Sequence, residues 1–137
     1  MLIHHTGLYV FECKNYRGKI YGKEQDEYWV TQCRKDSFSF YNPIKQNQGH
    51  INALKQYVDT PMYNIVVFSN TSILNLEVHN IVVQTTGVRK KIDEIVNISK
   101  ANIDVDKIYN TLLPFSNVDE STKEQHITSL IWQVAYF

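Results

Sequence analysis

Apolar and polar positions follow two different rhythms along this chain, and the change falls at Asn42-Pro43. Before that point short β-branched and aromatic runs recur, at Met1–Ile3, Leu8–Lys14, Lys19–Tyr21, Glu27–Gln32 and Phe38–Tyr41. Turn-forming stretches separate them: Thr6-Gly7, Asn15–Gly18 and Gly22–Asp26. The pattern predicts a hairpin followed by further strands, all in one antiparallel layer that ends at Phe38–Tyr41. In Tyr28–Gln32 the two-residue period puts Tyr28 and Val30 on one face and Trp29 and Thr31 on the other.

After Asn42 the period lengthens. Asn42 reads as an N-cap and Pro43 as the first helical residue of a helix reaching about Val58. Ile44, Ile51, Leu54 and Val58 form its apolar stripe, and Gln46, His50, Ala53 and Tyr57 lie on a stripe beside it. Thr60-Pro61 stops it. Asn64–Ser69 has the unbroken apolar look of a strand buried on both faces, and Ile81–Gln84 is a shorter one. Val88–Ser99 is predicted helical, with Val88, Ile92, Ile95 and Val96 inward and Arg89-Lys90-Lys91 outward. Asp104–Leu113 is predicted as a helix ended by Pro114, and Ser121–Glu124 reads as a capping box opening a last helix. Antiparallel strands, helix, strand, strand, helices: this order predicts one α/β domain with a mixed sheet over residues 1–137.

Composition changes the picture little. A chain of 137 residues, 43% apolar and 20% charged, is sized for one domain with a real core. Fourteen cationic and fourteen acidic residues cancel, so a case for nucleic-acid binding must rest on a local patch. Cys13 and Cys33 lack metal-ligand spacing and are expected as reduced thiols in a cytoplasmic protein. No stretch has the roughly 18 apolar residues of a membrane span, and the N-terminus has no signal-peptide pattern.

The candidate chemistry lies at the end of the second strand. Glu12 and Lys14 are two residues apart, so their side chains stand together on one face while Cys13 points away. A carboxylate beside an amine at a strand end suits a divalent cation and a charge stabiliser; it also suits a solvated pair on a half-exposed strand. His50 is equally open, between a substrate contact and a packed helix residue, with no second His or Cys at zinc-ligand spacing. Tyr16, Tyr28, Trp29 and Tyr41 offer stacking surfaces for bases, with interior packing as the commoner role. Arg89–Lys91 reads chiefly as a solvated helix face.

Phe11-Glu-Cys-Lys-Asn-Tyr-x-Gly18, Tyr28-Trp29 and Tyr41-Asn-Pro-Ile-Lys-Gln-Asn-x-x-His50-x-x-x-Leu54 together resemble the nuclease-related domain (NERD) family, over about residues 1–96. The Asn-Pro-x-x-Gln-Asn-x-x-His block is the most specific part. The resemblance implies a restriction-endonuclease-like mixed sheet flanked by helices, with residues 97–137 as a helical C-terminal part. It implies metal-dependent hydrolysis of DNA, with Mg²⁺ on the Glu12 carboxylate and the Cys13 backbone carbonyl. Lys14 would position water or offset developing charge, and Gln46 would face the site from the helix. His50 and Asn15 are offered as substrate contacts.

The sequence departs from the family pattern at one place. The family's Asp, on the strand before Glu-x-Lys, would fall one or two residues ahead of Met1, and no Asp precedes Asp26. The expectation is therefore a core lacking its first helix and most of its first strand, with impaired hydrolysis. The other reading is a non-catalytic nucleic-acid-binding or protein-interaction module that keeps the nuclease fold. A third is a fragment that does not fold stably, because an exposed sheet edge is left open.

Overall fold

The computed structural model describes residues 1–117. In chain order it has β1 (Leu2–His4), β2 (Gly7–Lys14), β3 (Gly18–Lys23), β4 (Tyr28–Cys33), β5 (Asp36–Tyr41), α1 (Pro43–Leu54), β6 (Met62–Phe68), β7 (Ser72–Glu77), β8 (Val82–Gln84), α2 (Val88–Ile98) and α3 (Val105–Leu112). Short 3-10 turns occupy Thr85–Gly87 and Leu113–Asn117. The class is α/β, with two mixed sheets ordered β1-β2-β6-β8 and β5-β4-β3-β7. This is the restriction-endonuclease-like class of architecture expected. The last helix expected from Ser121 lies outside the described residues.

The residues group into two compact units. One comprises Met1–Val10, Gln48–Tyr63 and Ser99–Phe137; the other comprises Phe11–Asn47 and Asn64–Ile98. In the first, β1 and β2 form the expected antiparallel hairpin, Leu2 opposite Tyr9 and His4 opposite Gly7. Its core gathers Met1, Leu8, Val10, Ile51, Leu54, Val58, Ile108 and Leu112. A polar chain closes the hairpin turn. The Thr6 N–H donates to His4 Nδ1 at 3.3 Å, which makes that nitrogen an acceptor; the Thr6 hydroxyl then donates to it at 2.8 Å and receives the Tyr9 hydroxyl at 2.6 Å.

Desolvation first, then the neighbouring His5, holds His4 below its ordinary pKa of 6.5. The unfolded chain therefore binds its proton at higher pH than the folded one. The contribution of His4 to stability is complete above pH 6.5 and is lost as pH falls below it. Urea midpoints measured from neutral pH downward should fall through this window, and His4→Gln should flatten the fall.

In the second unit, Ile20, Trp29, Phe40, Ile44, Val66 and Phe68 form the core. β3, β4 and β5 are an antiparallel meander, and β6 and β8 are parallel. Two expectations are corrected here. The early strands do not make one layer, because β1-β2 and β3-β4-β5 belong to different sheets. The change of sheet happens at Asn15–Arg17, and Gly18 makes it possible: φ is +88°, and a Cβ there would collide with the Gln32 carbonyl. In addition, β7 was not expected at all. It pairs in parallel with β3, Gly18 opposite Ser72 through Lys23 opposite Glu77.

Three smaller differences follow from packing. α1 ends at Leu54, beyond which the amides of Gln56 and Tyr57 bond back only three residues, to Ala53 and Leu54. Lys91, expected on the wet face of α2, is 8% exposed and paired with Glu94 at 3.5 Å. Tyr28 and Tyr41 stand out from the sheet rather than in the core, with ring centroids 5.9 Å apart.

The start of α1 is as expected. The Asn42 side-chain oxygen accepts the Ile44 N–H at 2.9 Å, the geometry of an N-cap. Its amide also donates to the carbonyls of Glu24 and Asp26, at 3.0 and 2.7 Å, and the residue is fully buried. Asn42→Ala removes the cap and leaves two part-buried carbonyls short of a donor, an expected cost of about 2 kcal/mol by urea denaturation.

Candidate functional site

β2 is buried from Gly7 to Glu12 and emerges from the protein at Cys13 and Lys14. The carboxylate and the amine thus stand at the point where a buried strand reaches the surface. A carboxylate this enclosed needs a partner. It has one in Lys14, whose Nζ lies 2.8 Å from Glu12 Oε1, with side-chain exposures of 16% for Lys14 and 11% for Glu12. The two-residue period therefore has the consequence expected of it.

The third member comes from α1. Lys14 Nζ donates to Gln46 Oε1 at 2.9 Å, across 32 positions of sequence. Gln46 is set by the helix start, with its N–H bonded to the Asn42 carbonyl at 3.0 Å. Asn47, from the quoted Asn-Pro-x-x-Gln-Asn block, and Asn64, which the sequence did not single out, fix the helix further. The Asn64 amide donates to the Ile44 carbonyl at 3.0 Å, and the Asn47 amide donates to Asn64 Oδ1 at 2.7 Å. A signal for Asn64 was available: it is a lone amide at the head of the apolar run Ile65–Phe68.

Lys14 has three N–H donors. One faces Glu12 and one faces Gln46. Among the described residues no partner takes the remaining one. The ammonium is therefore oriented from two sides and open on a third.

The remaining expected residues are Asn15, His50 and Cys13. Asn15 is exposed in the loop after β2. His50 lies on α1 one turn beyond Gln46, half-buried, and belongs to the other compact unit. The Cys13 side chain is exposed. The protein around it still desolvates the thiolate, and the Glu12 charge opposes it as well, so the thiol is pushed up from its ordinary pKa and is not an activated nucleophile. Only its backbone carbonyl is left for a ligand role.

For a metal, the donor set expected from the resemblance is the Glu12 carboxylate and the Cys13 carbonyl. Among the described residues no group of three or more His, Cys, Asp or Glu could hold an ion. Such a set does not fit a cation caged by protein. It does fit one shared with a phosphate, since Mg²⁺ commonly takes one or two carboxylates and fills its shell with water and phosphate oxygens.

The family model described as the nuclease-related domain matches residues 1–85, more than half of the chain. The chain belongs to the nuclease-related domain family. The matched NERD stretch ends just past β8 and includes the whole Glu12–Lys14–Gln46 trio. An uncharacterized protein of Bacillus anthracis is 29% identical over 136 residues, covering 95% of this chain and 64% of its own length. The NERD chain thus spans less than two thirds of that relative. No solved structure matches it. Among the described residues no helix is long and apolar enough to cross a membrane.

Proposed function

We propose that this NERD chain acts on DNA, and that Glu12, Lys14 and Gln46 form a site for phosphodiester hydrolysis. The observation that supports this most is the Lys14 ammonium, held between the Glu12 carboxylate and the Gln46 amide with one donor open. Lys14 places that donor against a non-bridging oxygen of the scissile phosphate. There it offsets the negative charge that grows as the nucleophile adds. Glu12 and Gln46 fix the direction of the ammonium, so little reorganisation is needed when the charge develops. Glu12, with the Cys13 carbonyl, would hold a Mg²⁺ or Mn²⁺ shared with the phosphate; such an ion would supply an acidified water and further positive charge.

The test is cleavage of supercoiled plasmid with Mg²⁺ or Mn²⁺, comparing wild type with Glu12→Gln and Lys14→Ala. Each variant is expected to lose activity by about 10²-fold or more. Equal cleavage by all three proteins overturns the reading.

A second reading is favoured by one specific observation: the trio has a single carboxylate, and that carboxylate is already paired with Lys14. On this reading the chain is a non-catalytic nucleic-acid-binding module. It predicts no cleavage, and DNA binding that needs no metal and survives Glu12→Gln. Metal-dependent binding lost in that variant counts against it.

A further inference from the structure

Three loops follow directly from the strands that meet at the Lys14 end of the sheet. They are residues 15–17 after β2, 69–71 after β6 and 85–87 after β8. Hydrogen bonds knit them into one rim. The Ser69 N–H donates to the Lys14 carbonyl at 3.0 Å. The hydroxyls of Ser69, Thr71 and Ser72 all donate to the Tyr16 carbonyl, at 3.3, 3.3 and 2.6 Å. Asn70 Oδ1 accepts from the N–H and the hydroxyl of Thr86, at 3.4 and 3.3 Å. The first loop is thus tied to the second, and the second to the third.

The charge of this rim differs from that of the chain as a whole. The chain is neutral, yet residues 14–19, 69–75 and 84–92 contain no Asp or Glu. They do contain Arg17 in the first loop, and Arg89 and Lys90 in the first turn of α2 just after the third loop, all exposed. Among the described residues none of these three makes an ion pair. The nearest carboxylate after them is Asp93, one turn further along α2. A positive rim in a neutral protein focuses potential locally and attracts a polyanion.

We infer that this rim, with the start of α2 that follows its third loop, is the track for the phosphate backbone of the DNA flanking Lys14, and that Arg17, Arg89 and Lys90 are its phosphate contacts. The inference rests on the proposed site at Lys14 and extends it to the substrate on either side. The serine and threonine hydroxyls of the rim donate to protein oxygens, so the exposed cations are its main means of holding DNA. Binding is therefore set by the backbone and is independent of sequence.

The experiment measures affinity for a short fluorescent DNA duplex against salt concentration, using two duplexes of unrelated sequence. Arg17→Ala, Arg89→Ala and Lys90→Ala should each lower the slope of log K against log salt by about 1, and weaken both duplexes alike. Arg17→Lys and Arg89→Lys should keep the slope, because the charge remains. A triple alanine variant with the wild-type slope and a wild-type melt overturns the inference, as does a loss confined to one sequence. Failure of the site itself reads differently. If Glu12→Gln and Lys14→Ala leave cleavage untouched while the triple variant loses its salt dependence, the rim stands and the proposed site falls.

Discussion

Lys14→Met is expected to destabilise the protein by about 3 kcal/mol, whereas the double variant Glu12→Leu/Lys14→Met should be as stable as wild type or more so. The reasoning starts from burial. Both side chains are mostly enclosed, at 16% and 11% exposure, and their charges meet at 2.8 Å. Taking two ions out of water costs about as much as their mutual attraction returns, so an apolar pair of similar volume can do as well. Removing only the lysine leaves the Glu12 carboxylate enclosed without its cation, and leaves Gln46 Oε1 without its donor. Urea denaturation with unchanged m-values measures both numbers. Wild-type stability in Lys14→Met would mean that the pair is solvated and the trio is not a preorganised site. A double variant more stable than wild type and inactive on DNA would show that the charges are kept for function at a cost in stability.

The second large effect lies in the core beneath β4. Trp29→Ala should cost about 4 kcal/mol, the scale of a large aromatic removed from a close-packed site. Trp29 is 0% exposed; its ring stacks on Phe68 at 6.3 Å between centroids and meets Phe40 edge-on at 6.4 Å. Its indole N–H donates to the Lys23 carbonyl at 2.8 Å, so Trp29→Phe should keep most of the packing and still lose about 1 kcal/mol. The ring also depends on the glycine that faces it. A Cβ at Gly22 would run into the indole, so Gly22→Ala is expected to cost about 1–3 kcal/mol in wild type. In a Trp29→Ala background that cost should vanish, because the clashing atoms are gone. Thermal melts of the two single variants and the double complete the cycle. Additive losses would show that the two residues do not meet as described.

Where local chemistry was strong, the sequence was enough. The Asn42-Pro43 start of α1 was legible because capping and a fixed proline φ act within a few residues. β6 was legible because a strand buried on both faces needs an unbroken apolar run. Glu12 and Lys14 could be placed side by side because alternation along a strand is a property of the backbone itself. The resemblance to the NERD family, now matched over residues 1–85, rested on the same local blocks.

What the sequence could not decide depended on partners distant along the chain. β7 was missed although Leu74-Asn75-Leu76-Glu77-Val78 alternates apolar and polar; the strand is short, and its partner β3 lies more than fifty residues earlier. The division of the early strands between two sheets depended on a few loop residues and on Gly18, whose left-handed backbone only a glycine accepts easily. Lys91 looked like part of a wet face because it is charged; its burial was set by neighbours that composition does not name. By itself the sequence determined most of the elements, the helix cap and the strand face shared by Glu12 and Lys14. Tertiary structure decided that Gln46 Oε1 accepts from Lys14 at hydrogen-bond distance, that Asn47 and Asn64 hold α1 in place, and that hydrogen bonds join the loops after β2, β6 and β8. The physical reason is one of range: backbone period and capping act over a few residues, while hydrogen-bond partners and burial are assigned only when the chain has closed on itself.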